Sequence, residues 1–590
     1  MTAAVQTIWA ELLVATLADA GVTTAVISPG SRSTPLVAAL AAEPRLELVT
    51  IIDERAAAFF ALGAARATGM PAAIVCTSGT AAAHYLPAII EASLAGVPLI
   101  AITADRPPEL QQCGASQTID QIDLYGGFVR GAFDLGAPVA HQTSLRGLRR
   151  TVIQAITLAR GPHAGPVHLE VPLRKPLEPA APSTEIENKL ANDAAALRGP
   201  VTLAPPQLAA DPAALRALAT AIAAEPDGVI VAGALPAGFP RDIVFALAAR
   251  AGYPVIAEAG SQLRFGARPD QIAMIDHADL IPVPERPAPR LVVQLGAEPV
   301  AASWPAWLAT LTHAKRWVLA GASWADPEGS AHRVVLGDPA AAVAAVTGAL
   351  GELDRGVSRI RTTAWLETWR AAQTLAEAAS ASAIETAGRS EVAVLRAALA
   401  AAPAGAAIQI GNSLPIRVVD HLPGGGAARS VITQRGAAGI DGLIASAAGA
   451  TRGGAPVLLV LGDVSFAHDL GGLLAARCAS TPLAILVIDN RGGQIFAGLP
   501  VSRAGLGTAF DRHWITPPEL DPSAVATALG ARAVTAASPA AVGAAIEAAL
   551  ATRGVTVIHA PVAISGAHDV RRTAIDLYAP PHRAARGATE

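Results

Sequence analysis

Two polar side chains in the last third of the chain follow apolar runs at a spacing that could hold a cation. Asp463 comes just after the run 457–461, and Asn490, twenty-seven residues later, comes just after the run 483–488. Runs of this kind predict buried parallel strands, whose carboxyl ends are where ligands bind. A carboxylate and an amide oxygen suit Mg²⁺, which is usually held by one or two protein oxygens together with phosphate oxygens of a ligand. The sequence therefore predicts a cation site at this edge of a sheet.

The residues around this pair leave alternatives open. A Gly-Asp pair such as Gly462-Asp463 also ends many strands for turn reasons alone. Asp489 is a rival ligand to Asn490, but neighbouring residues of a strand point to opposite faces, so we expect only one of them to serve. Gly492 lets the backbone approach a phosphate closely and leaves its carbonyl free as a third ligand.

This set of residues, Gly462-Asp463 followed by Asn490 and Gly492, resembles the diphosphate-binding motif of thiamine-diphosphate enzymes. The resemblance implies thiamine diphosphate as the cofactor, held through Mg²⁺ or Mn²⁺ on Asp463, Asn490 and Gly492. It also implies further cofactor contacts from Gly462, Val464, Ser465, Ser413, Gly439, Thr80, Ile495 and Phe496. Ile495 and Phe496 would form the apolar wall that imposes the bent shape of the cofactor.

An acid early in the chain could handle a proton. In thiamine enzymes, a glutamate at the start of a helix that follows a strand contacts the aminopyrimidine ring and promotes removal of the thiazolium proton. Residues 48–56 (LVTIIDERA) fit this pattern with Glu54, and Asp53 and Arg55 are the competitors. Asp53 and Glu54 could also be ordinary acids of a helix start, which the helix dipole favours. The resemblance assigns the catalytic role to Glu54.

Further motifs resemble those of the menaquinone-pathway SEPHCHC synthase family (2-succinyl-5-enolpyruvyl-6-hydroxy-3-cyclohexene-1-carboxylate synthases). They are residues 28–36 (SPGSRSTPL), 53–55 (DER), 77–81 (TSGTA), 103–107 (TADRP), 411–413 (GNS), 435–436 (RG), 439–442 (GIDG) and 492–496 (GGQIF). The resemblance implies a transferase that decarboxylates 2-oxoglutarate and adds the resulting succinyl-semialdehyde unit to isochorismate, in menaquinone or phylloquinone biosynthesis. The middle of the chain contributes little to the resemblance.

Both implied substrates are dicarboxylates, which guanidinium groups bind through paired hydrogen bonds. Candidate substrate-binding residues in or near the matched motifs are Ser31, Arg32, Arg106, Gln117, Asn412, Arg417 and Arg435. Ser31 and Arg32 are also expected to act in catalysis, with Ser31 near the reacting carbons. A surface ion pair is the alternative role for each arginine, above all for Arg417, which could lie exposed on an ordinary helix over 414–422.

Three positions depart from the family pattern. His84 and Gln434 stand where the family usually has Asn, and we expect His84 to be a packing residue. The predicted strand that ends in residues 293–296 (VQLG) is not followed by the lysine that family members tend to place there. Arg290 or Arg264 could hold one substrate carboxylate in its place.

The elements that must position these residues alternate between short apolar strands and helices, which indicates an α/β fold with doubly wound parallel sheets. In a first domain of residues 1–180 we predict strands over 22–28, 74–76, 99–103 and 167–171. In a second domain of residues 207–355 we predict strands over 228–232, 254–257, 291–295 and 316–319. In a third domain of residues 356–590 we predict strands over 407–410, 457–461, 483–488 and 555–559. Helices are predicted over 33–42, 54–68, 81–95 and 358–383, and a linker over 178–206. The resemblance places the cofactor's pyrimidine in the first domain and its diphosphate and metal in the third.

Composition argues against several classes of protein. Hydrophobic residues, many of them alanine, make up 52% of the chain, but no uninterrupted apolar run approaches the length of about 20 residues that a membrane span needs. A formal net charge of −4 without a dense basic stretch argues against nucleic acid as a partner. Three widely spaced cysteines and an N-terminus without a basic start predict a reduced, cytoplasmic protein.

The resemblance further implies a homodimer or homotetramer in which each cofactor lies between subunits, with Glu54 of one chain serving Asp463 of another. Two other functions stay open. The first is a thiamine-dependent 2-oxo-acid decarboxylase or carboligase of the acetolactate-synthase kind, which would have apolar substrate contacts in place of the arginines. The second is a non-catalytic homologue, which would lack Glu54 or the metal pair, and both are present.

Overall fold

The computed structural model describes residues 2–353 and 363–578. These residues form three six-stranded parallel sheets flanked by helices. The predicted fold class, α/β with three doubly wound parallel sheets, is confirmed. Within the described residues, no helix is long and apolar enough to span a membrane. The beginning of the helix predicted over 358–383 lies outside the described residues, and the remainder of it belongs to the helix Thr363–Thr386.

The first sheet contains β1 (Thr24–Ile27), β2 (Glu47–Thr50), β3 (Ala72–Cys76), β4 (Leu99–Asp105), β5 (Ala132–Asp134) and β6 (Pro166–Pro172), in the order 2-1-3-4-6-5. Helices in the same stretch are α1 (Ala3–Asp19), α2 (Thr34–Ala42), α3 (Glu54–Thr68), α4 (Thr80–Ala83), α5 (Leu86–Ala95), α6 (Gln142–Arg160) and α7 (Glu185–Ala196). The direction of strand addition reverses between β1 and β3. Ligands of such sheets bind at this switch point.

The second sheet contains β7 (Gly228–Ala232), β8 (Val255–Ala257), β9 (Met274–Ile275), β10 (Leu291–Leu295), β11 (Lys315–Ala320) and β12 (Arg333–Leu336), in the order 12-11-10-7-8-9. Its helices are α8 (Pro212–Ala224), α9 (Arg241–Ala251), α10 (Ser303–Thr310) and α11 (Pro339–Leu353). Backbone fills the switch point between β7 and β10, since a Cβ on Gly233 would lie 1.9 Å from the Ala297 carbonyl oxygen. The Ala297 N–H also donates to the Ala234 carbonyl at 3.2 Å.

The third sheet contains β13 (Ala407–Ile410), β14 (Ser430–Thr433), β15 (Val457–Gly462), β16 (Leu483–Asp489), β17 (Arg532–Thr535) and β18 (Val555–Pro561), in the order 14-13-15-16-18-17. The helices of this stretch are α12 (Thr363–Thr386), α13 (Glu391–Ala401), α14 (Leu414–Val418), α15 (Leu443–Ala450), α16 (Asp463–His468), α17 (Gly471–Ala476), α18 (Thr508–Phe510), α19 (Pro522–Ala528), α20 (Pro539–Ala551) and α21 (Gly566–Leu577). Its switch point lies between β13 and β15.

All twelve strands that we predicted from apolar runs are present, and β7, β10 and β13 begin and end at the predicted residues. The strands outside these twelve predictions, β2, β5, β9, β12, β14 and β17, all lie at the edges of their sheets. Edge strands are short or partly exposed, as in β17, where three of the four residues are exposed. They therefore lack the continuous apolar run that marks a buried parallel strand.

The stretch 178–206, which we expected to be a linker, contains α7. The Thr184 hydroxyl accepts the Glu187 N–H at 3.2 Å, and the Glu187 carboxylate accepts the Thr184 N–H at 3.0 Å, which is a capping box. Leu190 and Ala194 are buried in the core around the first sheet. The Thr-x-x-Glu pattern at 184–187 is the sequence signal that marks this helix.

The sheets belong to two compact units. The first unit comprises the residues up to Pro206 together with 434–454 and 468–483, and the second comprises 207–433, 455–467 and the residues from Ala484 onward. The first unit thus combines the first sheet with α15 and α17, although these two helices come from the stretch of chain that builds the third sheet.

Within the first unit, α15 contacts α3 at backbone distance. A Cβ on Gly63 would lie 1.9 Å from the Ser446 carbonyl oxygen, and one on Gly449 would lie 1.8 Å from the Phe60 carbonyl oxygen. Because only glycine permits such an approach, the two glycines set the spacing of the helices. The position of α3, which begins at Glu54, therefore depends on α15.

Gly449→Ala should destabilise the protein, because the added methyl group meets a backbone oxygen that cannot turn away and overpacking costs about 1–3 kcal/mol. Gly348→Ala is the matched control, since Gly348 lies in α11 where a Cβ meets nothing within 4 Å. There alanine should stabilise the helix by up to about 1 kcal/mol. Calorimetric Tm values test both variants. A Tm for Gly449→Ala at or above that of the unsubstituted protein would contradict the backbone contact.

Candidate active site

The carboxyl ends of β13, β15 and β16 surround a cavity that opens to solvent, with about 360 Å³ of empty space when the open part is included. Its lining consists of Glu391, Ser413, Leu414, Pro415, Gly462, Asp463, Val464, Ser465, Ile488, Asn490, Gly492, Gly493 and Gln494. Seven residues predicted to bind the cofactor are among them, namely Ser413, Gly462, Asp463, Val464, Ser465, Asn490 and Gly492. The cavity lies at the switch point of the third sheet, where the topology favours ligand binding.

Backbone N–H groups fix the Asp463 carboxylate. Its Oδ2 accepts the Gly492 N–H at 2.7 Å, and its Oδ1 accepts the Val464 N–H at 2.9 Å. Burial, together with the adjacent charge of Asp489, raises the pKa of this carboxyl to about 7, although the two N–H groups oppose the shift. A cation at this carboxylate would favour its charged form.

Asn490 presents an oxygen that the rest of the protein leaves free. Its Nδ2 donates to the Glu391 carboxylate. Its Oδ1 is buried and has no hydrogen-bond partner among the described residues. A buried acceptor without a partner costs about 1–3 kcal/mol, and a cation coordinated by this oxygen and by Asp463 would satisfy it. The two side chains therefore fit a divalent cation.

Gly492 is required by the conformation of its backbone. Its φ is 117°, and a Cβ at this position would lie 2.3 Å from the Ile515 carbonyl oxygen. The following residue, Gly493, donates its N–H to the same oxygen at 2.6 Å. Only glycine can therefore occupy position 492 and direct its N–H at Asp463.

The rival ligand Asp489 is hydrogen-bonded to the Asp463 carboxyl group and has other partners as well. Its Oδ2 lies 2.9 Å from His559 Nε2, and its Oδ1 accepts the Arg491 N–H at 3.1 Å. The hydrogen bond to His559 is the main cause that lowers the pKa of Asp489. Asn490 lines the cavity and Asp489 does not. In the described part of the chain, no group of three or more His, Cys, Asp or Glu could hold a metal alone, which leaves room for phosphate oxygens in the coordination.

The segment between β13 and α14 also meets the cavity. Ser413 lines it with a φ of 70°, which is unusual for a residue other than glycine. Such backbone strain clusters at functional sites. Asn412 is buried beside it. Arg417 is half-buried, and its Nη1 donates to the Ser413 carbonyl at 2.7 Å, so α14 turns this arginine back toward the site instead of exposing it.

Ile495 and Phe496 lie in the 3-10 helix Gln494–Gly498, directly after three residues that line the cavity. Both side chains are half-buried. Neither of them lines the cavity in this chain. Their role as an apolar wall for the cofactor remains a prediction.

In the first unit, predicted residues meet at the switch point of the first sheet. Arg32, in the turn after β1, is 6% exposed and donates to the Leu173 carbonyl at 2.7 Å. Arg106, after β4, donates to the Ser78 hydroxyl and, at 2.9 Å, to the Ser116 carbonyl. Burial lowers the pKa of Arg32, and so does the positive charge of Arg106. Two guanidinium groups with this mutual repulsion favour a bound anion.

Other residues predicted to contact a ligand follow strands of the first sheet or contact Ser78, a partner of Arg106. Gln117 donates its Nε2 to the Ser78 carbonyl at 3.1 Å, and the Ser78 hydroxyl donates to the Gln117 carbonyl at 3.1 Å. Thr80 begins α4, and its side chain is exposed. Ser31 is likewise exposed in the turn after β1. These polar groups therefore remain accessible at the ends of neighbouring strands.

Of the two acids at the start of α3, Asp53 caps the helix and Glu54 does not. Asp53 caps α3, because its Oδ1 accepts the N–H groups of Arg55 at 2.9 Å and Ala56 at 3.3 Å. Arg55 lies 3.9 Å from the Asp469 carboxylate. The Glu54 carboxylate is half-buried and forms no hydrogen bond or ion pair with any described residue. Both competitors therefore have partners, and Glu54 is available to a ligand.

The loop with Arg435 and Gly439 belongs to the first unit and depends on an acid that we did not predict. Glu91, in α5, accepts the N–H groups of Gly436 at 3.0 Å and Ala437 at 2.7 Å. These bonds fix the backbone next to Arg435. No motif marks Glu91, because its partners lie about 345 residues away along the chain.

A buried pair of acids at the ends of β4 and β6 was also not predicted. Asp105 and Glu170 are 2% and 3% exposed, and their carboxyl groups are hydrogen-bonded to each other. Burial and the adjacent Asp105 raise the pKa of Glu170 to about 9, so Glu170 is the protonated partner at neutral pH. Thr103 donates to Glu170 at 3.2 Å and Gln111 donates to Asp105 at 2.6 Å. The pair lies directly before Arg106 in the chain.

Three lesser expectations are wrong. His84 is exposed at the end of α4, where the predicted helix 81–95 is split in two, so it does not serve packing. Arg264 is 1% exposed and donates to four backbone carbonyls, so it is not available to a substrate. Arg290 precedes β10 and therefore lies at the amino end of that strand, opposite the ligand-binding edge.

Comparisons with known proteins match this chain to thiamine pyrophosphate enzymes. Residues 9–124 match the thiamine pyrophosphate enzyme N-terminal TPP binding domain, and residues 421–560 match the C-terminal TPP binding domain. A protein of Sorangium cellulosum named 2-succinyl-5-enolpyruvyl-6-hydroxy-3-cyclohexene-1-carboxylate synthase is 40% identical over 94% of this chain and 92% of its own length. A protein of Geobacillus thermodenitrificans with the same name is 40% identical over 82% of each chain.

The crystal structure of benzoylformate decarboxylase from Polynucleobacter necessarius superimposes with a TM-score of 0.67, covering 94% of this chain and 98% of that one. At 16% identity, this likeness shows the fold alone. The relatives with the synthase name show the family, because their identity extends over most of both chains. The chain belongs to the 2-succinyl-5-enolpyruvyl-6-hydroxy-3-cyclohexene-1-carboxylate synthase family of thiamine pyrophosphate enzymes.

Proposed function

We propose that this protein decarboxylates 2-oxoglutarate and adds the resulting succinyl-semialdehyde unit to isochorismate, in menaquinone or phylloquinone biosynthesis. The family name describes the product of such a reaction. The observation that carries the proposal is the pair Arg32 and Arg106 at the switch point of the first sheet, because dicarboxylate substrates need cationic partners. An enzyme of the acetolactate-synthase kind acts on short 2-oxo acids with a single carboxylate, so we would expect apolar substrate contacts in place of one of these guanidinium groups.

We assign the cation of the cofactor, Mg²⁺ or Mn²⁺, to Asp463, Asn490 and the Gly492 backbone. Thiamine diphosphate, when bound, supplies the electron sink that lets a 2-oxo acid lose carbon dioxide. The fixed Asp463 carboxylate and the free Asn490 Oδ1 support this assignment. The other proposed cofactor contacts are Thr80, Ser413, Gly439, Gly462, Val464, Ser465, Ile495 and Phe496, of which four line the cavity.

The remaining proposed roles concern protons and carboxylates. Glu54 would hold a proton at a ring nitrogen of the aminopyrimidine, and the absence of a hydrogen bond or ion pair from its carboxylate to any described residue supports this. Ser31 and Arg32 would lie near the reacting carbons. Substrate carboxylates and hydroxyls would be bound by Arg32, Arg106, Gln117, Asn412, Arg417 and Arg435. Because family members share cofactors between chains, we propose a cytoplasmic homodimer or homotetramer in which Glu54 of one subunit serves Asp463 of another.

Release of carbon dioxide tests the proposed reaction. We expect the purified protein with thiamine diphosphate and Mg²⁺ to release carbon dioxide from 2-oxoglutarate faster than from pyruvate, and isochorismate to accelerate turnover by accepting the four-carbon unit. Labelled 2-oxoglutarate with mass spectrometry of the product checks both. Faster release from pyruvate, or no coupling to isochorismate, would overturn the substrate assignment.

Asp463→Ala should abolish binding of thiamine diphosphate at millimolar Mg²⁺, because the cation loses its only carboxylate ligand in the cavity while the diphosphate charge remains. Isothermal calorimetry measures this affinity. Glu547→Ala is a control in an exposed acid of α20 that does not line the cavity, and it should leave the affinity unchanged. An unchanged affinity of Asp463→Ala would refute the ligand role.

Glu54→Gln should retain cofactor binding but slow exchange of the thiazolium C2 proton by about 10²–10⁴-fold, the usual contribution of a positioned acid or base. Quenched-flow exchange in deuterium oxide with NMR detection gives the rate. Asp53→Asn, which keeps an oxygen that can cap α3, should leave the rate near that of the unsubstituted protein. Normal exchange in Glu54→Gln would remove Glu54 from the mechanism.

A further inference from the structure

Glu391 is a buried acid in the cavity that the proposed function does not use. It is 2% exposed, begins α13 and lines the same cavity as Asp463 and Asn490. Its carboxylate accepts a hydrogen bond from Asn490 Nδ2. The start of α13 already has a cap, since the Ser390 hydroxyl accepts the Ala393 N–H at 3.2 Å. The helix therefore has no need of Glu391 as its cap.

The hydrogen bond decides which end of the Asn490 amide faces the cavity. An asparagine side chain can turn over and exchange its NH₂ group and its oxygen, and only the oxygen can ligate a cation. An ionised carboxylate is purely an acceptor, so it holds the NH₂ group and turns the oxygen the other way. That oxygen, Asn490 Oδ1, is the buried acceptor without a partner among the described residues.

We propose that Glu391 is a positioning residue that locks the Asn490 amide with its oxygen toward the cation of the cofactor. This inference rests on the proposed role of Asn490 as a cation ligand. Residues behind metal ligands commonly orient them, and losing such a residue costs about 10–100-fold in metal affinity. The competing explanation is structural, because an acid in the first turn of a helix is favoured by the helix dipole alone.

Titration of the full-length protein with Mn²⁺, in the presence of excess thiamine diphosphate, separates the two explanations, with free Mn²⁺ followed by electron paramagnetic resonance. Glu391→Ala should weaken Mn²⁺ binding by about 10–100-fold. Glu391→Gln keeps an oxygen that can accept from Asn490 and should stay within a few-fold of the unsubstituted protein. Ser390→Ala, which removes the cap of α13, should lower Tm but leave the Mn²⁺ affinity unchanged.

Exchanging the carboxyl group and the amide group between positions 391 and 490 gives a sharper test. Asn490→Asp alone places two carboxylates in contact, so it should bind Mn²⁺ poorly or lower Tm. Adding Glu391→Gln restores a donor behind the ligand, and the double variant should recover both Mn²⁺ affinity and Tm relative to Asn490→Asp. A double variant that shows only the combined losses of the two single variants would overturn the proposal.

The outcomes also separate this inference from the proposed function. If Asp463→Ala binds Mn²⁺ normally, the cation site itself is misplaced. If Asp463→Ala loses Mn²⁺ and Glu391→Ala binds it like the unsubstituted protein, the site stands and Glu391 has only a structural role. Should Glu391→Ala fail to fold, Glu391→Gln with and without Asn490→Asp decides the question.

Discussion

A hydrogen bond from the Gly492 backbone to the Asp463 carboxylate joins the ends of β15 and β16, and the cavity of the third sheet depends on it. The bond helps to hold a buried carboxylate in one orientation. It is possible because Gly492 adopts a φ of 117° and lies against the Ile515 carbonyl, where a side chain has no space. The acceptor oxygens of Asp463 and Asn490 are thereby fixed before any ligand arrives, which reduces the reorganisation that binding requires.

Small residues also allow close packing in the first unit. Alanine contributes much of the 52% hydrophobic share of the chain. Between α3 and α15, glycines also take part in the close packing. Gly63 and Gly449 bring the two helices to backbone contact, and Gly442 packs on Phe59, where a Cβ would lie 1.9 Å from the ring. Helices at this distance cannot shift without clashes, because packed interiors do not deform continuously. The start of α3 therefore presents Glu54 from a rigid support.

Buried acids near the predicted site residues include four that are compensated in three arrangements. Glu91 accepts backbone N–H groups, Glu391 accepts an amide N–H, and Asp105 and Glu170 share a proton. Each arrangement offsets the cost of removing a charge from water, which is large for an unpaired carboxylate. Glu391 contacts Asn490, Asp105 directly precedes Arg106, and Glu91 binds the backbone next to Arg435. Buried polar contacts thus hold in place the groups that would meet a ligand.

The sequence by itself determined the central strands, the start of α3 at Glu54 and the motifs that meet at the strand ends, because apolar runs, helix caps and glycine turns act between residues close along the chain. Only the tertiary structure decided that Asn490 and not Asp489 lines the cavity, that Arg417 turns toward Ser413, and that Glu91 and Glu391 stand behind the predicted residues. It also decided that Arg264 is buried and that backbone fills the switch point of the second sheet. These features arise from contacts between segments far apart in the chain, and edge strands, which bury little, leave no local pattern that reveals them.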